Sequence, residues 1–174
     1  MNTNIPSKIH SYNLYNDDLG GRFFGVGDEC SLPDFEALSE TISGAGILGE
    51  LDDPAPGHFS NQQMEIPFRV LDEEAVSLMD ATRTVKLTLR GSQQTLSAEG
   101  DTVFRPMRAV VRGKCAALKP GTVKNAAAMG SSVTLNIFYI KIEVNEKELV
   151  ELDKLNSIFK IGGVDLLKKV REMI

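Results

Sequence analysis

The segment 133–144 constrains the fold more than any other part of the sequence, because its apolar alternation changes parity near the middle. The odd positions are apolar from Val133 to Tyr139, and the even positions are apolar from Phe138 onward. Alternation of this kind is the two-residue period of a half-buried strand. A long strand that exchanges its buried face usually bends or bulges. The segment therefore predicts one long, irregular strand between two packed sheets or between a sheet and a neighbour.

Other segments with the same period indicate that most of the regular structure is strand. Apolar and polar residues alternate over 84–89. Over 107–117 the basic residues share one parity, and the apolar residues, including Cys115 and Ala117, share the other. Turn-forming residues predict two hairpins. One joins 12–15 to 23–26 through the turn at 17–21, and the other returns the long strand through Asn145 to a partner at 148–152.

Two helices and two further loops complete the expected elements. Asp72 is a suitable N-cap for a short helix with Ala75, Leu78 and Met79 facing inward. A second helix is predicted from about Val164 to the C-terminus, with Gly162-Gly163 at its boundary and apolar residues at helical spacing. The small and polar residues of 91–101 and 119–132 predict long loops.

Residues 43–60 are the least globular part of the chain, with four glycines and two prolines in 18 residues. This segment has little local means of burying itself, and long structureless segments are usually lids, binding loops or disordered. The glycines Gly44, Gly46 and Gly49 formally match a G-x-G-x-x-G dinucleotide loop. Because prolines follow where a helix would be needed, we interpret the segment as an arm that something else orders.

Charge and cysteine content exclude several classes of protein. The net charge of −5 and the pI near 5.1 argue against a dedicated nucleic-acid binder. Two cysteines are too few for a disulfide framework, and we find no signal peptide or membrane span, so we expect a soluble protein made in a cytoplasm. The one basic cluster is interpreted as a solvated or salt-bridging face rather than a phosphate track: Arg105, Arg108, Arg112 and Lys114.

No set of residues in the sequence has the spacing of a catalytic or metal site. His10 and His58 are the only histidines, and neither has a second histidine or a cysteine at metal-ligand spacing. A nucleophile elbow is absent from the sequence, and Cys115 is expected to belong to the core. We therefore expect no catalytic residue, metal, cofactor or small-molecule substrate, and we predict that the protein is not an enzyme.

Several segments, taken in order, resemble a known family. The matching stretches are Tyr12-Asn13-Leu14-Tyr15 with Gly25 and Leu32-Pro33, the glycine-rich 44–57 leading into Met64-Glu65, the Lys119-Pro120-Gly121 turn, and IKIEVNEKELVELDKLNSIFKIGGVDLL at 140–167. In this order and spacing the chain resembles the major tail tube proteins of contractile-tailed phages, the group typified by phage P2. The same family includes the tubes of phage-tail-like bacteriocins.

The resemblance implies a mainly β fold over a single domain, residues 1–174. That fold is a tail-tube-type β-sandwich or barrel with a flanking short helix, a C-terminal helix and a long extended arm. The arm corresponds to residues 41–69 and is expected to be a hairpin that reaches neighbouring subunits. The candidate interface residues are glycines and prolines of the arm together with a histidine and two apolar anchors: Gly44, Gly46, Pro54, Pro56, His58, Phe59 and Met64.

The function implied is structural: hexameric rings stack into a hollow tube for DNA passage or membrane puncture. The implied partners are further copies of the chain, a sheath protein outside, a tape-measure protein in the lumen, and a terminator and a baseplate tube initiator at the ends. DNA would pass without specific binding, in a virion tail assembled in the host bacterial cytoplasm. Two alternatives stay open: a secreted hexameric ring protein of type VI secretion, and a ligand-binding β-barrel whose arm is a lid.

Overall fold

A computed structural model describes residues 4–174 of the chain. Antiparallel strands dominate it, and two short helices accompany them. In chain order the elements are β1 Ile5–Asn16, β2 Gly21–Arg22, β3 Ala37–Ser43, β4 Glu50–Phe59, β5 Gln62–Phe68, α1 Glu73–Ser77, β6 Val85–Leu96, β7 Thr102–Lys119, β8 Ser131–Val144, β9 Lys147–Asp153, β10 Ile158–Ile161, β11 Val164–Asp165 and α2 Lys168–Met173. The expected mainly β fold is confirmed.

The large sheet closes on itself into a small barrel. Its strands follow the order β11-β10-β9-β8-β7-β6-β1-β2, and β5 pairs with the first half of β8. The segment after β2 then reaches β5, through a bridge between Val26 and Phe68 and a hydrogen bond from Gly27 N to Pro67 O of 2.8 Å. This contact completes the circuit β1-β2-β5-β8-β7-β6. Because a closed barrel leaves few unpaired edges, most strands of this region have backbone partners on both sides.

Buried aliphatic and aromatic side chains fill the barrel. Every one of its longer strands contributes them, and α1 adds Ala75 and Leu78. The strands β9 and β10 extend the same core with Leu152 and Phe159. The largest fully buried apolar side chains are those of Leu14, Met64, Ile66, Leu87, Val111, Val133, Leu135, Ile140 and Leu152.

The strand β8 is the long strand predicted from the change of parity. Arg112 of β7 pairs with Tyr139, and the next residue, Gly113, pairs with Ile137, so the ladder skips Phe138. The bulge rotates the strand, and the buried positions change from odd to even. Before the bulge β8 lies between β7 and β5, and after it β8 lies between β7 and β9. The prediction is confirmed in position and in cause.

The second predicted hairpin forms, and the first forms with a different second strand. Tyr15 pairs with Arg22 of β2 across the turn that follows β1, whereas residues 23–26, predicted as the partner strand, follow β2, and Val26 bridges to Phe68 of β5. β8 pairs with β9 across a two-residue turn. In that second turn Asn145 and Glu146 have φ of 52° and 63°, the left-handed values that a tight hairpin turn requires.

Two expectations about the segments that form β6 and β7 are wrong. Residues 91–96, expected to begin a long loop, continue β6 and pair with both β1 and β7. Ala117, expected on the apolar face, is exposed because the ladder skips Ala116 between Cys115 and Ala117. That bulge reverses the parity of β7 just before its end, so Leu118 packs against the core instead. The loop expected after β7 is present, at residues 120–130.

The helices are shorter than the sequence predicts. The side chain of Asp72 accepts a hydrogen bond from Glu73 N at 2.7 Å, which confirms the N-cap. Met79 does not face inward: its exposure is 56 %, because α1 ends at Ser77. The predicted start of the C-terminal helix is wrong, because Val164 lies in β11 and α2 begins at Lys168.

Candidate functional site

The glycine-rich segment forms a hairpin that stands apart from the barrel. Strands β3 and β4 pair only with each other, as a second sheet of two strands. All residues of β3 and nearly all of β4 are exposed. The residues by themselves suggested a segment without structure of its own, and this regular hairpin corrects that expectation, whereas the family resemblance implied a hairpin here. We call residues 37–59 the arm; it begins before residue 41 and ends before β5, unlike the predicted 41–69.

Side chains of the same chain fix the base of the arm. The ring of Phe59 packs edge-on against the rings of Phe35 and Phe159, with centroid distances of 5.5 and 5.2 Å. Gly57 has φ of +77°, and an added Cβ there would lie 2.6 Å from a methyl carbon of Leu167. Lys154 Nζ donates to Ser60 O at 3.1 Å. The arm therefore leaves the body from a defined anchor point, although the rest of it is exposed.

The predicted interface residues lie at the tip of the arm, along β4, at the base of the arm and in the barrel core. Gly44 and Gly46 lie in the turn at the tip, and Pro54, Pro56 and His58 lie in β4. His58 is exposed.

The two predicted apolar anchors are placed otherwise. Phe59 is half-buried at the base, where its contacts are with rings of its own chain. Met64 is outside the arm, in β5, and is 0 % exposed within the barrel core. A residue with no exposed surface does not touch a neighbouring protein, so Met64 is not an interface anchor, contrary to the prediction.

Exposed apolar residues of the arm are the feature that sequence reasoning missed. Ile42 and Leu51 face each other across the two strands, and Leu48 stands at the tip. Leu38 shares the parity of Ile42 on β3 and is also exposed. The sequence of β3 did not reveal this surface, because Glu40 lies between Leu38 and Ile42 at the same parity and the glycines and prolines nearby suggested irregular structure.

The arm contains several acidic residues and no lysine or arginine. Between residues 37 and 59 the sequence has four acids, Glu40, Glu50, Asp52 and Asp53, and no lysine or arginine. Glu40 lies directly opposite Asp53 in the ladder. Asp52 accepts a hydrogen bond of 2.7 Å from the hydroxyl of Thr41. The arm is thus an acidic hairpin with an exposed apolar side.

A second accessible feature is the outer edge of β1. Among the described residues no strand pairs with this edge between Ile5 and Asn13. Exposed Ile5 and Ile9 lie there, and Phe104 of β7 stacks edge-on against His10. An unpaired edge with apolar side chains is a template for pairing with another chain.

The groove beside this edge does not have the chemistry of an active site. It has a volume of about 810 Å³ between β1 and residues 22–30. The Tyr12 hydroxyl donates to Gly27 O at 2.5 Å inside it. Burial raises the pKa of Tyr12 to about 12 and that of the Cys30 thiol to about 11. Both groups are therefore protonated near neutral pH, and a protonated thiol is a poor nucleophile.

The basic cluster on β7 lies on a face that its own chain largely neutralises. Arg108 pairs with Glu143 at 3.8 Å, and the guanidinium of Arg112 stacks over Tyr139. Burial, and then the hydrogen bond to Glu151, raise the pKa of Tyr139 to about 12. The interpretation of a salt-bridging face fits this arrangement better than a phosphate track.

The same face continues onto β8 and β9 as a network of ion pairs. Lys141 contacts Glu143 at 2.8 Å and Glu148 at 3.2 Å, and these carboxylates raise its pKa. Lys160 pairs with Glu151 at 2.6 Å. Opposite charges therefore alternate across the strands of this face.

The remaining structural tests concern metals and membranes. Residues 4–174 contain no group of three metal-ligating side chains close enough to share an ion. Within the same range no helix has the length and apolar character to cross a membrane. The barrel interior is packed with side chains, and the arm projects instead of covering an opening, so the lid of the ligand-binding alternative is not formed.

A packed β-barrel with an exposed acidic hairpin and an open strand edge presents surfaces that other proteins can cover. The family model for phage tail tube protein FII matches residues 6–174, so the chain belongs to this family. The chain is also similar to the tail tube protein of Escherichia phage P2, with 28 % identity over 179 aligned residues that cover 98 % of each chain.

Family membership confirms the resemblance found in the sequence. The protein is a structural subunit of a phage tail tube and a component of the virion tail. It self-assembles and associates with other tail components, and it is not an enzyme, as predicted. This also explains why no catalytic constellation was found in the sequence.

Proposed function

We propose that the chain, as one domain over residues 1–174, assembles into hexameric rings that stack into the hollow inner tube of a contractile injection machine. The tube is a conduit for DNA, or a device that punctures a membrane, and the arm connects each subunit to its neighbours. A sheath protein surrounds the tube, a tape-measure protein occupies its lumen, and a terminator and a baseplate tube initiator close its ends. Family membership favours this function over a type VI secretion ring protein.

The observation that carries the proposal is the arm itself. Its base is held by aromatic packing, yet its apolar residues Ile42, Leu48 and Leu51 are exposed. An apolar, regular hairpin in water gains stability when another surface covers it. The open edge of β1 adds a second unsatisfied surface, and in a closed ring of identical subunits such surfaces are satisfied without aggregation. The net charge of −5 favours passage of a polyanion without adhesion.

A shortened arm tests the proposal without disturbing the barrel. Thr41 and Asp52 are cross-strand partners, so residues 42–51 can be replaced by an Asn-Gly turn that keeps their register. We expect this variant to fold with an unchanged melting temperature and to form no tubes in negative-stain electron microscopy, under conditions in which the intact chain does.

The control is Glu99→Ala in the β6–β7 turn, which is also exposed and distant in sequence from the arm. It is expected to leave tube formation intact. Tubes of normal length from the shortened chain would refute the role of the arm, and absence of rings and tubes from the intact chain at high concentration would refute the proposed function.

A further inference from the structure

One side of the arm carries two acids at adjacent strand positions. Glu40 and Asp53 are directly opposite each other, and the pair Ile42 and Leu51 lies two residues further along the same face. Glu40, Ile42 and Asp53 border a hollow of about 620 Å³, which Leu38, Pro54, Ala55, Pro56 and His58 help to complete, and Leu51 is not part of its lining. The hollow therefore combines two carboxylates with apolar walls.

Nothing in the same copy neutralises this acid pair. Like charges directly opposite in a ladder destabilise it. No lysine or arginine occurs between residues 37 and 59, and no ion pair reaches Glu40 or Asp53 from the rest of the described chain. The surface that complements this face must be both basic and apolar.

The C-terminal end of the chain is a surface of that kind. We call the exposed residues on and beside α2 the C-terminal patch. Val170 and Met173 lie three residues apart on α2, Leu166 precedes the helix, and Ile174 follows it and is 93 % exposed. Contiguous exposed apolar surface of this kind marks an interaction site. The members of the C-terminal patch include two lysines and one acid: Leu166, Lys168, Lys169, Val170, Glu172, Met173 and Ile174.

The two lysines of the C-terminal patch are available for an external acid. Within the described residues neither Lys168 nor Lys169 joins an ion pair, whereas the neighbouring Arg171 pairs with Asp165. A lysine presents an apolar stem and a charged tip, which suits a hollow with apolar walls and carboxylates. The basic face of β7 is a weaker match, because Arg108 and Arg112 already contact Glu143 and Tyr139.

We propose that the arm of one copy docks on the C-terminal patch of a second copy. Glu40 and Asp53 receive Lys168 and Lys169, while Ile42 and Leu51 pack against Val170 and Met173. The two surfaces are different parts of the chain, so the contact is head-to-tail and can repeat from copy to copy along an assembly. This inference rests on the proposed tube function and names the surface that the arm recognises.

Charge exchange tests the contact. Glu40→Lys with Asp53→Lys reverses the sign of the charge on this face of the arm, and Lys168→Glu with Lys169→Glu reverses the sign of the lysine charges of the C-terminal patch. Because like charges then face each other, each double variant is expected to raise the protein concentration needed for tube formation by about tenfold or more. The chain that carries all four changes is expected to form tubes again, since both partners have exchanged sign. Circular dichroism and the melting temperature establish that each variant is folded.

The control pair is Arg112→Glu with Lys114→Glu, on the other basic surface. If this pair, and not the patch pair, restored tubes to the reversed arm, the C-terminal patch would be the wrong acceptor. Failure of the fourfold variant to assemble, with intact-chain tubes present, would overturn the docking inference alone. Absence of tubes from the intact chain would overturn the proposed function instead.

A covalent trap provides a second measurement that does not depend on restoring assembly. Asp53→Cys with Lys169→Cys in one chain is expected to give a ladder of disulfide-linked multimers after mild oxidation of assembled protein. Either cysteine alone is the control, and Cys30 and Cys115, which are only partly buried, are present in all three chains. A double-cysteine chain that gives no more multimers than the controls would contradict the proposed contact.

Discussion

The arm and strand β5 are neighbours in the sequence, yet their apolar side chains have opposite surroundings. In β5 every second residue is buried, and the side chains of Met64 and Ile66 fill the barrel. In the arm Ile42 and Leu51 form an equally regular cross-strand pair, but both are exposed. A regular cross-strand pair of apolar residues therefore does not show which molecule covers it.

The comparison also separates two sources of order. The barrel is ordered by its own core, in which each strand finds partners on both sides. The arm has only one ladder and a few contacts at its base, and a two-stranded hairpin alone is marginally stable in water. The barrel thus supplies folding stability, and the arm keeps its apolar surface for assembly.

Truncation of one leucine in each region is the strongest test of this separation. Leu135→Ala removes a fully buried side chain and leaves a cavity, so we expect the free energy of unfolding to fall by about 2–5 kcal/mol. Leu51→Ala removes an exposed side chain, so we expect the free energy of unfolding to change by less than about 0.5 kcal/mol and tube formation to be reduced. Urea unfolding measures the free energy of unfolding, and sedimentation measures the amount of tube formed. A large loss of stability in Leu51→Ala would mean that the arm is part of the folding core.

A glycine in the barrel and a glycine in the arm provide a second comparison, with a smaller expected effect on stability. An added Cβ at Gly113 would lie 2.4 Å from the backbone oxygen of Asn136, beside the bulge in β8. Backbone atoms cannot move aside easily, so Gly113→Ala is expected to lower the free energy of unfolding by about 1–3 kcal/mol.

The arm glycine is the matched comparison. Gly46 has φ of +92° and open space around its Cα. Gly46→Ala should strain only the tip and leave the melting temperature of the barrel nearly unchanged. Thermal unfolding followed by circular dichroism measures both variants, and equal shifts in melting temperature would remove the distinction between the two regions.

The sequence predicts the barrel better than its surroundings, because burial is what alternation reports. The change of parity in β8 predicted an irregularity near the middle of the strand, and the ladder skips Phe138 there. Residues 92–94 of β6 escaped prediction because Ser92, Gln93 and Gln94 are polar and only half-buried, although their backbone pairs with two strands. Backbone pairing without burial leaves no apolar pattern to read.

The ends of the chain show a different limit. Gly162 and Gly163 were interpreted as a helix boundary, but their φ values of 57° and 82° form the tight turn between β10 and β11. A glycine pair fits both structures, and the short β11 has too few residues to show a period. The composition of the arm likewise predicted its exposure but not its hairpin, since the ladder depends on backbone register.

The smallest expected effect on the melting temperature comes from changing one acid in the barrel and one in the arm. Glu65 accepts hydrogen bonds from the Ser132 hydroxyl at 2.7 Å and from Lys119 at 3.1 Å, and these partners lower its pKa from the ordinary value of 4.5. A lowered pKa in the folded state stabilises the fold above the unfolded pKa, and this contribution is lost as the pH falls through the folded value. Glu65→Gln should therefore lower the melting temperature slightly at pH 7 and not at pH 2, with the effect kept small by solvent at this exposed pair.

Asp53→Asn is the matched change in the arm. Because Asp53 faces Glu40 and no cation in its own copy, removal of its charge relieves repulsion and should leave the melting temperature of the unassembled protein unchanged or slightly higher at pH 7. The same variant should assemble less readily, since it removes one carboxylate from the proposed contact. A decrease in melting temperature as large as that of Glu65→Gln would show that Asp53 has a cationic partner within its own chain, and the acidic face of the arm would then be part of the monomer's own stability.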